Sequence, residues 1–379
     1  MNKILTLRIF FVFVVVFLAQ FFIKENLNGF PYSSSIDMRY HQPYVLKSMA
    51  NFDGVHYTNI AYEGYHQYDQ AFFPLYPLLV SGIGAFFEGN HVLSGILISI
   101  FFLIVGAHFF YQLLREYYDK KIAYLSTLFL LLFPTSFFLQ AIYSEGLFFA
   151  LFSASLFYLH KKNFLVASLC ASLASLTRIQ GIFLIFPFFF YFYESKKNFF
   201  CNVKLIIRTK LPYMIAPFIG LFAYMLYLYQ TTGDALYFFS TQPTFGANRS
   251  THLILLPQVY YRYFKIFFTA AFNYQYFVSV LEFTFFTASF ILSGLLGYVA
   301  WKHKKLFELG ISLFSLSYLL LPTLTGTFSS IPRYSLFALA QYIFLAKIRN
   351  KKIGYVIATF FIIAQVILLS LFSRGYFIG

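Results

Sequence analysis

One short stretch of this sequence gathers ionisable side chains in a chain that is otherwise strongly apolar. Residues 51–77 read NFDGVHYTNIAYEGYHQYDQAFFPLYP and contain three carboxylates and two histidines. A carboxylate can accept the proton of a bound hydroxyl group, and a nearby histidine can share that hydrogen bond. The stretch therefore has the residue types that general acid–base chemistry needs.

The first part of this stretch predicts a helix from about Phe52 to Tyr62, with Asn51 as its N-cap and Gly64 just past its end. At about 100° per residue, one face of that helix carries Asp53, His56 and Glu63. Asp53 falls in the first turn, where backbone N–H groups favour a negative charge. A helix start with an ordinary dipole-complementing aspartate and an interfacial histidine explains the same spacing, so both interpretations stay open.

Five further charged residues lie in four other places along the chain, between or within apolar segments. They are Glu145, Arg178, Asp234, Arg249 and Arg333. Ionisable groups at membrane depth are costly and are usually paired or functional. Helix capping also explains Glu145, and the partner of Arg178 is either a structural carboxylate or a lipid phosphate.

The composition is typical of a polytopic membrane protein. The chain has 379 residues, is 60% hydrophobic and 11% charged, and has a mean hydropathy of +0.69. Soluble domains carry about 25% charged residues. The formal net charge of +15 comes from short Lys/Arg clusters between apolar segments, which is the pattern of cytoplasmic loops. A nucleic-acid-binding protein would concentrate that charge on one soluble face, so we expect no nucleic acid partner.

With the basic clusters held inside, the apolar segments predict an all-α bundle of about eleven transmembrane helices. Nine predicted spans lie at about 4–23, 91–114, 122–140, 147–160, 211–230, 276–300, 306–325, 335–346 and 353–373. Segment 71–87 is apolar but short, and Pro74 and Pro77 near its start predict a half-span or interfacial helix. Residues 24–90 form the first outer loop, and residues 1–379 are predicted to form a single domain.

Segment 163–197 predicts the remaining two spans. Its apolar part of about 30 residues would rise about 45 Å as one helix, against a hydrocarbon core of about 30 Å. Lysines flank both ends, so both ends belong inside. A broken helical hairpin satisfies both constraints, with its turn at residues 177–181 (TRIQG) near the outer leaflet. The uncommon charged residues then collect on the outer face.

The sequence predicts neither a metal nor a cofactor. The two cysteines, Cys170 and Cys201, do not make a zinc site by themselves. A glycine-rich phosphate loop, a His/Asp metal spacing and a Ser-His-Asp arrangement are all absent from the sequence.

Five motifs together resemble the PIG-V-type mannosyltransferases, which belong to the GT-C superfamily of polytopic glycosyltransferases. FDGVHYTNIAYEGY followed by AFFPLYP is similar to the first block of that family, and FPTSFFLQAIYSEGLFFAL is similar to the second. SLTRIQG, TGDALYFFSTQPTF and IPRYSL are similar to three later blocks, in family order over most of residues 50–340. Phe52 and Phe245 stand where the family usually has tryptophan, changes that preserve aromatic stacking.

The resemblance implies a GT-C-like bundle with a helical first outer loop. It also implies transfer of a hexose, mannose in that family, from a polyprenyl- or dolichyl-phosphate carrier to a hydroxyl acceptor, with inversion. Asp53 would be the general base, with His56 and Glu145 as further catalytic residues. Arg178 and Arg333 would bind the phosphate of the donor. Substrate-binding roles are implied for Tyr57, Glu63, Tyr143, Gln180, Asp234, Gln242 and Tyr334.

Two other functions stay open on the sequence alone. A flippase or transporter of lipid-linked sugars would usually show inverted repeats with paired broken helices, whereas one broken hairpin is visible here. A non-catalytic subunit of a glycosyltransferase complex would not need the acidic motifs, which are all present. The expected partners are a lipid-phosphate-sugar donor, a glycolipid, glycan or protein acceptor, the bilayer and, in a complex, a membrane partner subunit. The composition favours a bacterial plasma membrane over the endoplasmic reticulum.

Overall fold

A computed structural model of the chain describes residues 2–26, 42–194, 198–246 and 249–378. Residues 27–41 of the predicted first outer loop therefore lie outside the described residues. Every regular element within these ranges is helical, as predicted.

Six helices in the described ranges are long and apolar enough to cross a membrane. They are α1 (Asn2–Phe22), α4 (His91–Tyr117), α9 (Phe199–Thr232), α11 (Tyr274–Lys302), α12 (Leu306–Thr323) and α14 (Lys351–Ser373). The shorter helices of at least eight residues are α2 (Asp53–Glu63), α3 (Leu75–Gly84), α5 (Lys120–Leu132), α6 (Glu145–His160), α7 (Phe164–Thr177), α8 (Ile185–Phe192), α10 (Leu256–Thr269) and α13 (Leu339–Ala346). Single helical turns at Tyr44–Lys47, Tyr237–Ser240 and Ile331–Tyr334 complete the described α-helices. The fold is thus a helical membrane-type bundle.

The predicted count of eleven spans is not confirmed, because several predicted spans form shorter helices. The span predicted at 122–140 ends early, since α5 stops at Leu132 and Phe133 is extended (φ −53°, ψ 139°). Phe133 precedes Pro134, and the residue before a proline is disfavoured in the helical conformation. Helix α10 lies in a segment for which no helix was predicted.

The break predicted within residues 177–181 is confirmed. Helix α7 ends at Thr177, Arg178 is extended (φ −154°, ψ 137°), and a 3-10 turn at Ile179–Leu184 leads into α8. Phe164 at the start of α7 contacts Phe192 at the end of α8, with ring centroids 5.4 Å apart. The two helices therefore form a hairpin with Arg178 at its turn.

Helix α6 has the buried carboxylate Glu145 at its first residue and a basic connection after its last. Glu145 is its first residue and His160 its last, which places them about 22 Å apart. At the far end His160 and Lys161 contact Glu116, at 3.3 and 2.6 Å. The basic connections and Glu145 thus lie at opposite ends of the bundle.

Two glycines allow unusually close contacts between segments, one at the start of α6 and the other near the hairpin turn at Arg178. A Cβ atom on Gly146 would lie 2.6 Å from the carbonyl oxygen of Leu139 and 2.9 Å from that of Ser99. A Cβ atom on Gly220 of α9 would lie 2.0 Å from the carbonyl oxygen of Ser172 in α7. Only a residue without a side chain fits at these two points.

Arg8 anchors the segment that leads into α6. Its side chain is buried and donates to the carbonyl oxygens of Leu131 (3.3 Å) and Ser136 (2.5 Å) and to Oε1 of Gln140 (3.1 Å). Arginine at the C-terminal end of a helix satisfies carbonyl groups that have no partner within the helix. Arg8 therefore helps to fix residues 133–144, which carry three side chains of the site described next.

Candidate active site

Two carboxylates and two guanidinium groups form one connected ion network. Arg333 donates from Nη1 to Oδ2 of Asp53, and Arg178 donates from Nη1 to Oε1 of Glu145 at 2.5 Å. The same Oε1 lies 3.5 Å from Nε of Arg333, which joins the two pairs. The four residues come from four distant parts of the chain, so only the tertiary fold brings them together.

The network is buried on one side and open on the other. The side chain of Glu145 is fully buried, and those of Arg178 and Arg333 are 9% and 8% exposed. Asp53 keeps 29% of its side-chain surface exposed. Charges buried in this way are costly unless paired, and two charges of each sign satisfy that requirement. Asp53 is the member that a ligand can reach.

Both guanidinium groups keep donor capacity that the described chain does not use. A guanidinium has five N–H donors. Within the described ranges the hydrogen bonds of Arg178 go from Nη1 to Glu145 and to Oγ of Ser144 (3.1 Å), and that of Arg333 goes to Asp53. The Nε atoms of both arginines and Oε2 of Glu145 are buried without a hydrogen-bond partner among the described residues. The arrangement can therefore accept further oxygen atoms, as an anion would supply.

Aromatic rings line the two arginines. The guanidinium carbon of Arg178 lies 5.2 Å from the ring centroid of Tyr334, and that of Arg333 lies 5.3 Å from Tyr143 and 5.7 Å from Phe138. Such cation–π contacts favour a cation in a site with little water. Two residues with predicted substrate-binding roles, Tyr143 and Tyr334, thus lie against the network.

A short hydrogen-bond chain links the helix of Asp53 to the network. The hydroxyl of Tyr57 on α2 donates to Oγ of Ser144 at 3.0 Å, and Ser144 also accepts from Arg178. The Tyr143 hydroxyl donates to the carbonyl oxygen of Asn51 at 2.8 Å. The sequence does not predict a role for Ser144, although it stands next to Glu145.

The backbone just before Asp53 is strained. Phe52 has φ 58° and ψ −117°, a conformation that residues other than glycine rarely adopt and that the surroundings must enforce. Its ring packs on Phe372 and Phe377. The predicted N-cap is wrong: Asn51 precedes the strained residue and donates instead to the carbonyl oxygen of Phe372 at 2.8 Å. The end of α14 therefore fixes the entry into α2 and the position of Asp53.

His56 is paired with a carboxylate other than Asp53. Its Nδ1 lies 2.9 Å from Oδ1 of Asp69, a residue for which the sequence predicts no role. Asp69 stands thirteen residues further along the same acid-rich stretch, and no spacing rule for a helix links the two positions.

The remaining predicted site residues are distributed around the network rather than in it. Glu63 pairs with the exposed His66 at 2.9 Å, and Asp234 accepts from the backbone N–H of Leu236 within its own turn. Gln242 accepts from Arg249 at 3.3 Å. Gln180 is buried in the 3-10 turn after Arg178. The substrate-binding roles of these residues stay predictions.

Arg333 lowers the pKa of Asp53. Burial by itself raises the pKa of Asp53, but attraction and a hydrogen bond from Arg333, with a smaller attraction from Arg249, outweigh burial and hold the pKa below its usual 3.8. Asp53 is therefore ionised at neutral pH.

A carboxyl group whose pKa is lowered by folding adds stability above its unfolded pKa and loses it as the pH falls through the folded pKa. We expect the difference in melting temperature between wild type and Asp53→Asn to stay constant from about pH 7 to about pH 5 and to shrink below that. Thermal unfolding in detergent at stepped pH measures this difference. A difference that already shrinks between pH 7 and pH 5 would contradict the pairing of Asp53 with Arg333.

Comparison with known proteins gives structures of one other protein. A family model that matches the chain was not found, and neither was a matching curated protein. The crystal structure of the Archaeoglobus fulgidus oligosaccharyltransferase in complex with Zn and sulfate aligns at a TM-score of 0.48 and 13% identity. The same protein tethered with an acceptor peptide containing the NVT sequon aligns at 0.42 and 14%. The alignments cover 98% of this chain and 53% and 55% of the other, so the chain spans about half of that protein. Similarity at this level sets neither the activity nor the substrate of this chain.

Proposed function

We propose that this chain is a membrane glycosyltransferase of the GT-C type, which moves a hexose from a polyprenyl- or dolichyl-phosphate carrier to a hydroxyl acceptor with inversion. The observation that carries the proposal is the network of Asp53, Glu145, Arg178 and Arg333. An accessible carboxylate lies in it beside two buried guanidinium groups with unused donors. Such a site suits a reaction in which a hydroxyl is deprotonated while a phosphate leaves.

In the proposed reaction Asp53 accepts the proton of the acceptor hydroxyl as its oxygen bonds to the anomeric carbon. The bond from that carbon to the phosphate oxygen breaks on the opposite face, and its electron pair leaves with the lipid phosphate. Arg178 and Arg333 stabilise the charge that develops on this phosphate. Since both guanidinium groups are already held in place by carboxylates, they need little reorganisation as the charge appears.

An apolar cavity supports a donor with a lipid chain. The cavity has a volume of about 540 Å³ and lies between α2, α3, α7 and α9. Ile60 on the helix of Asp53, Leu78 on α3 and Tyr224 on α9 are among its lining residues. Leu176, two residues before Arg178, also lines it. A chain in this cavity would run past segment 71–87 toward the arginines.

The choice of mannose comes from the resemblance to PIG-V-type enzymes. Residues of four of the five similar motifs meet in the network, namely those with Asp53, Glu145, Arg178 and Arg333. Motifs scattered along the chain would have no reason to meet there unless they served one site. We place the reaction at the outer face of a bacterial plasma membrane, with a glycolipid, glycan or protein as acceptor.

Deletion of the gene tests the function and names the acceptor. We expect mass spectrometry of membrane lipids and surface glycans to show one species shortened by one hexose in the deletion strain. The wild-type gene should restore it. Unchanged lipids and glycans would contradict the proposal.

An assay of the purified protein distinguishes an enzyme from a transporter. In liposomes with polyprenyl-phosphate-mannose and a membrane extract of the deletion strain that contains its lipids, glycans and proteins, the enzyme releases polyprenyl phosphate, which a transporter does not.

Arg178→Gln is expected to weaken use of the donor more than use of the acceptor. Loss of one charged donor to a phosphate costs about 1.5–3 kcal/mol, so we expect the KM for the donor to rise about tenfold or more. The KM for the acceptor should change little. Initial rates with each substrate varied in turn measure the two constants.

Arg374→Gln is the matched control for this substitution. Arg374 follows α14 at the same end of the bundle and donates to the carbonyl oxygen of Ile23 at 2.8 Å, apart from the network. It should leave both KM values unchanged. An equal rise of both KM values in Arg178→Gln would show that Arg178 is only structural.

A further inference from the structure

His56 is held in a defined orientation by contacts that the proposed reaction does not yet use. Besides the 2.9 Å contact with Asp69, its ring stacks on Phe72 with centroids 4.8 Å apart and an interplanar angle of 17°. Phe245 meets the same ring edge-on at 5.7 Å. The carboxylate of Asp69, the stacked ring of Phe72 and the perpendicular ring of Phe245 together restrict both rotation and tilt of the imidazole.

Asp69 is itself fixed in place. Its side chain is 11% exposed, and its Oδ2 accepts from the backbone N–H of His66 at 3.3 Å. Asp69 starts a 3-10 turn directly after Tyr68, which has a left-handed φ of 75°. A tyrosine in that conformation indicates a turn whose shape the surroundings enforce. The turn directs the carboxylate of Asp69 at His56.

This contact determines the tautomer of His56. An ionised carboxylate has no proton to donate, so Nδ1 of His56 must be the donor in the pair with Asp69. In the neutral ring the other nitrogen, Nε2, is then the hydrogen-bond acceptor. A buried carboxylate that orients a histidine and selects its tautomer is a recurrent device in catalytic sites.

His56 lies one helical turn after Asp53 on the same face of α2. Residues three apart on a helix have Cβ atoms about 5–6 Å apart, so Asp53 and His56 border the same space. Oδ2 of Asp53 already accepts a hydrogen bond from Arg333. A second hydrogen-bond acceptor nearby, such as Nε2 of His56, would hold the acceptor substrate in place while Asp53 takes its proton.

We propose that Asp69 is a positioning residue for the transfer, because it holds His56 in the tautomer whose Nε2 accepts a hydrogen bond from the acceptor substrate. This inference rests on the proposed function. His56 orients the acceptor toward the anomeric carbon, while the proton of the reacting hydroxyl still goes to Asp53. Asp69 does not touch the substrate.

The kinetic test uses Asp69→Leu and Asp69→Asn in the purified full chain. Polyprenyl-phosphate-mannose is the donor, and the membrane extract of the deletion strain supplies the acceptor. We expect Asp69→Leu to lower kcat/KM for the acceptor about 10- to 100-fold, by analogy with the loss on removing a carboxylate that orients a metal-binding histidine, with the KM for the donor unchanged. Asp69→Asn should retain part of the activity, since its amide oxygen can still accept from Nδ1.

A spectroscopic test separates positioning from a general effect on folding. In protein labelled with 15N-histidine, the signal lost in His56→Gln identifies His56. We expect the Nδ1-protonated tautomer in wild type and loss of that tautomer in Asp69→Leu. An unchanged tautomer in an inactive Asp69→Leu would overturn the inference, as would full activity of this variant.

His66→Gln is the matched control. It breaks the second histidine–carboxylate pair of the same loop, the 2.9 Å contact with Glu63, and keeps the backbone N–H that Asp69 uses. It should leave activity and the His56 tautomer unchanged. Lack of transfer by wild type would instead refute the proposed function, whereas transfer that is insensitive to Asp69 refutes only this inference.

Discussion

Asp53→Asn is expected to abolish hexose transfer while leaving the protein folded. The amide has the size of the carboxyl group and can still accept a hydrogen bond from Arg333, but it cannot take up the proton of the acceptor hydroxyl. Loss of a positioned general base costs about 10²- to 10⁴-fold in rate. Release of polyprenyl phosphate from polyprenyl-phosphate-mannose, with the extract of the deletion strain as acceptor, measures the effect.

Asp119→Asn provides the comparison for this variant. Asp119 is an N-cap at the other end of the bundle, where its side chain accepts from the backbone N–H of Ile122 at 2.7 Å. Its replacement should leave turnover unchanged. Turnover of Asp53→Asn at the wild-type rate would remove Asp53 from the reaction, and an unfolded variant would be recognised by its melting curve.

Removal of the Glu145 carboxylate is expected to cause the largest loss of stability in the network. Glu145 is fully buried and its Oε1 is shared by two arginines, so Glu145→Gln leaves two buried cations with Asp53 as the remaining carboxylate. Breaking a buried ion pair by removing one partner costs about 3–5 kcal/mol. We expect a marked fall in melting temperature in detergent, together with loss of transfer.

A double substitution tests the physical reason. Glu145→Gln combined with Arg178→Gln removes one charge of each sign and restores electrical balance. We expect the pair to be more stable than Glu145→Gln alone, while transfer stays lost. Additive losses in this double-mutant cycle would contradict the coupling between the two residues.

Glu308→Gln tests whether loss of a buried carboxylate can lower the melting temperature without lowering the rate of transfer. Glu308 is a second buried carboxylate, with its Oε1 2.5 Å from Nζ of Lys347, and it belongs to α12 near the basic connections. Its replacement should lower the melting temperature for the same electrostatic reason. Turnover at a temperature where the variant is folded should be retained.

Much of the secondary structure was predictable because it depends on local properties of the chain. Apolar length predicted α4, α11 and α14 to within a few residues at their ends, and charge flanking predicted the hairpin broken at Arg178. The errors also have local causes. Pro134 shortened one predicted span, and the cap of α2 moved because Phe52 takes a strained conformation that only its packing partners explain.

The sequence by itself determined which residue types are available, which segments are apolar helices, and that Asp53, Glu145, Arg178 and Arg333 are uncommon charges in apolar surroundings. Their pairing was decided by the tertiary structure alone. It joined Arg333 to Asp53 and Glu145 to both arginines, and it joined His56 to Asp69. The physical reason is that a buried charge needs a partner at hydrogen-bond distance, but its position in the chain does not specify which distant residue the fold will bring there.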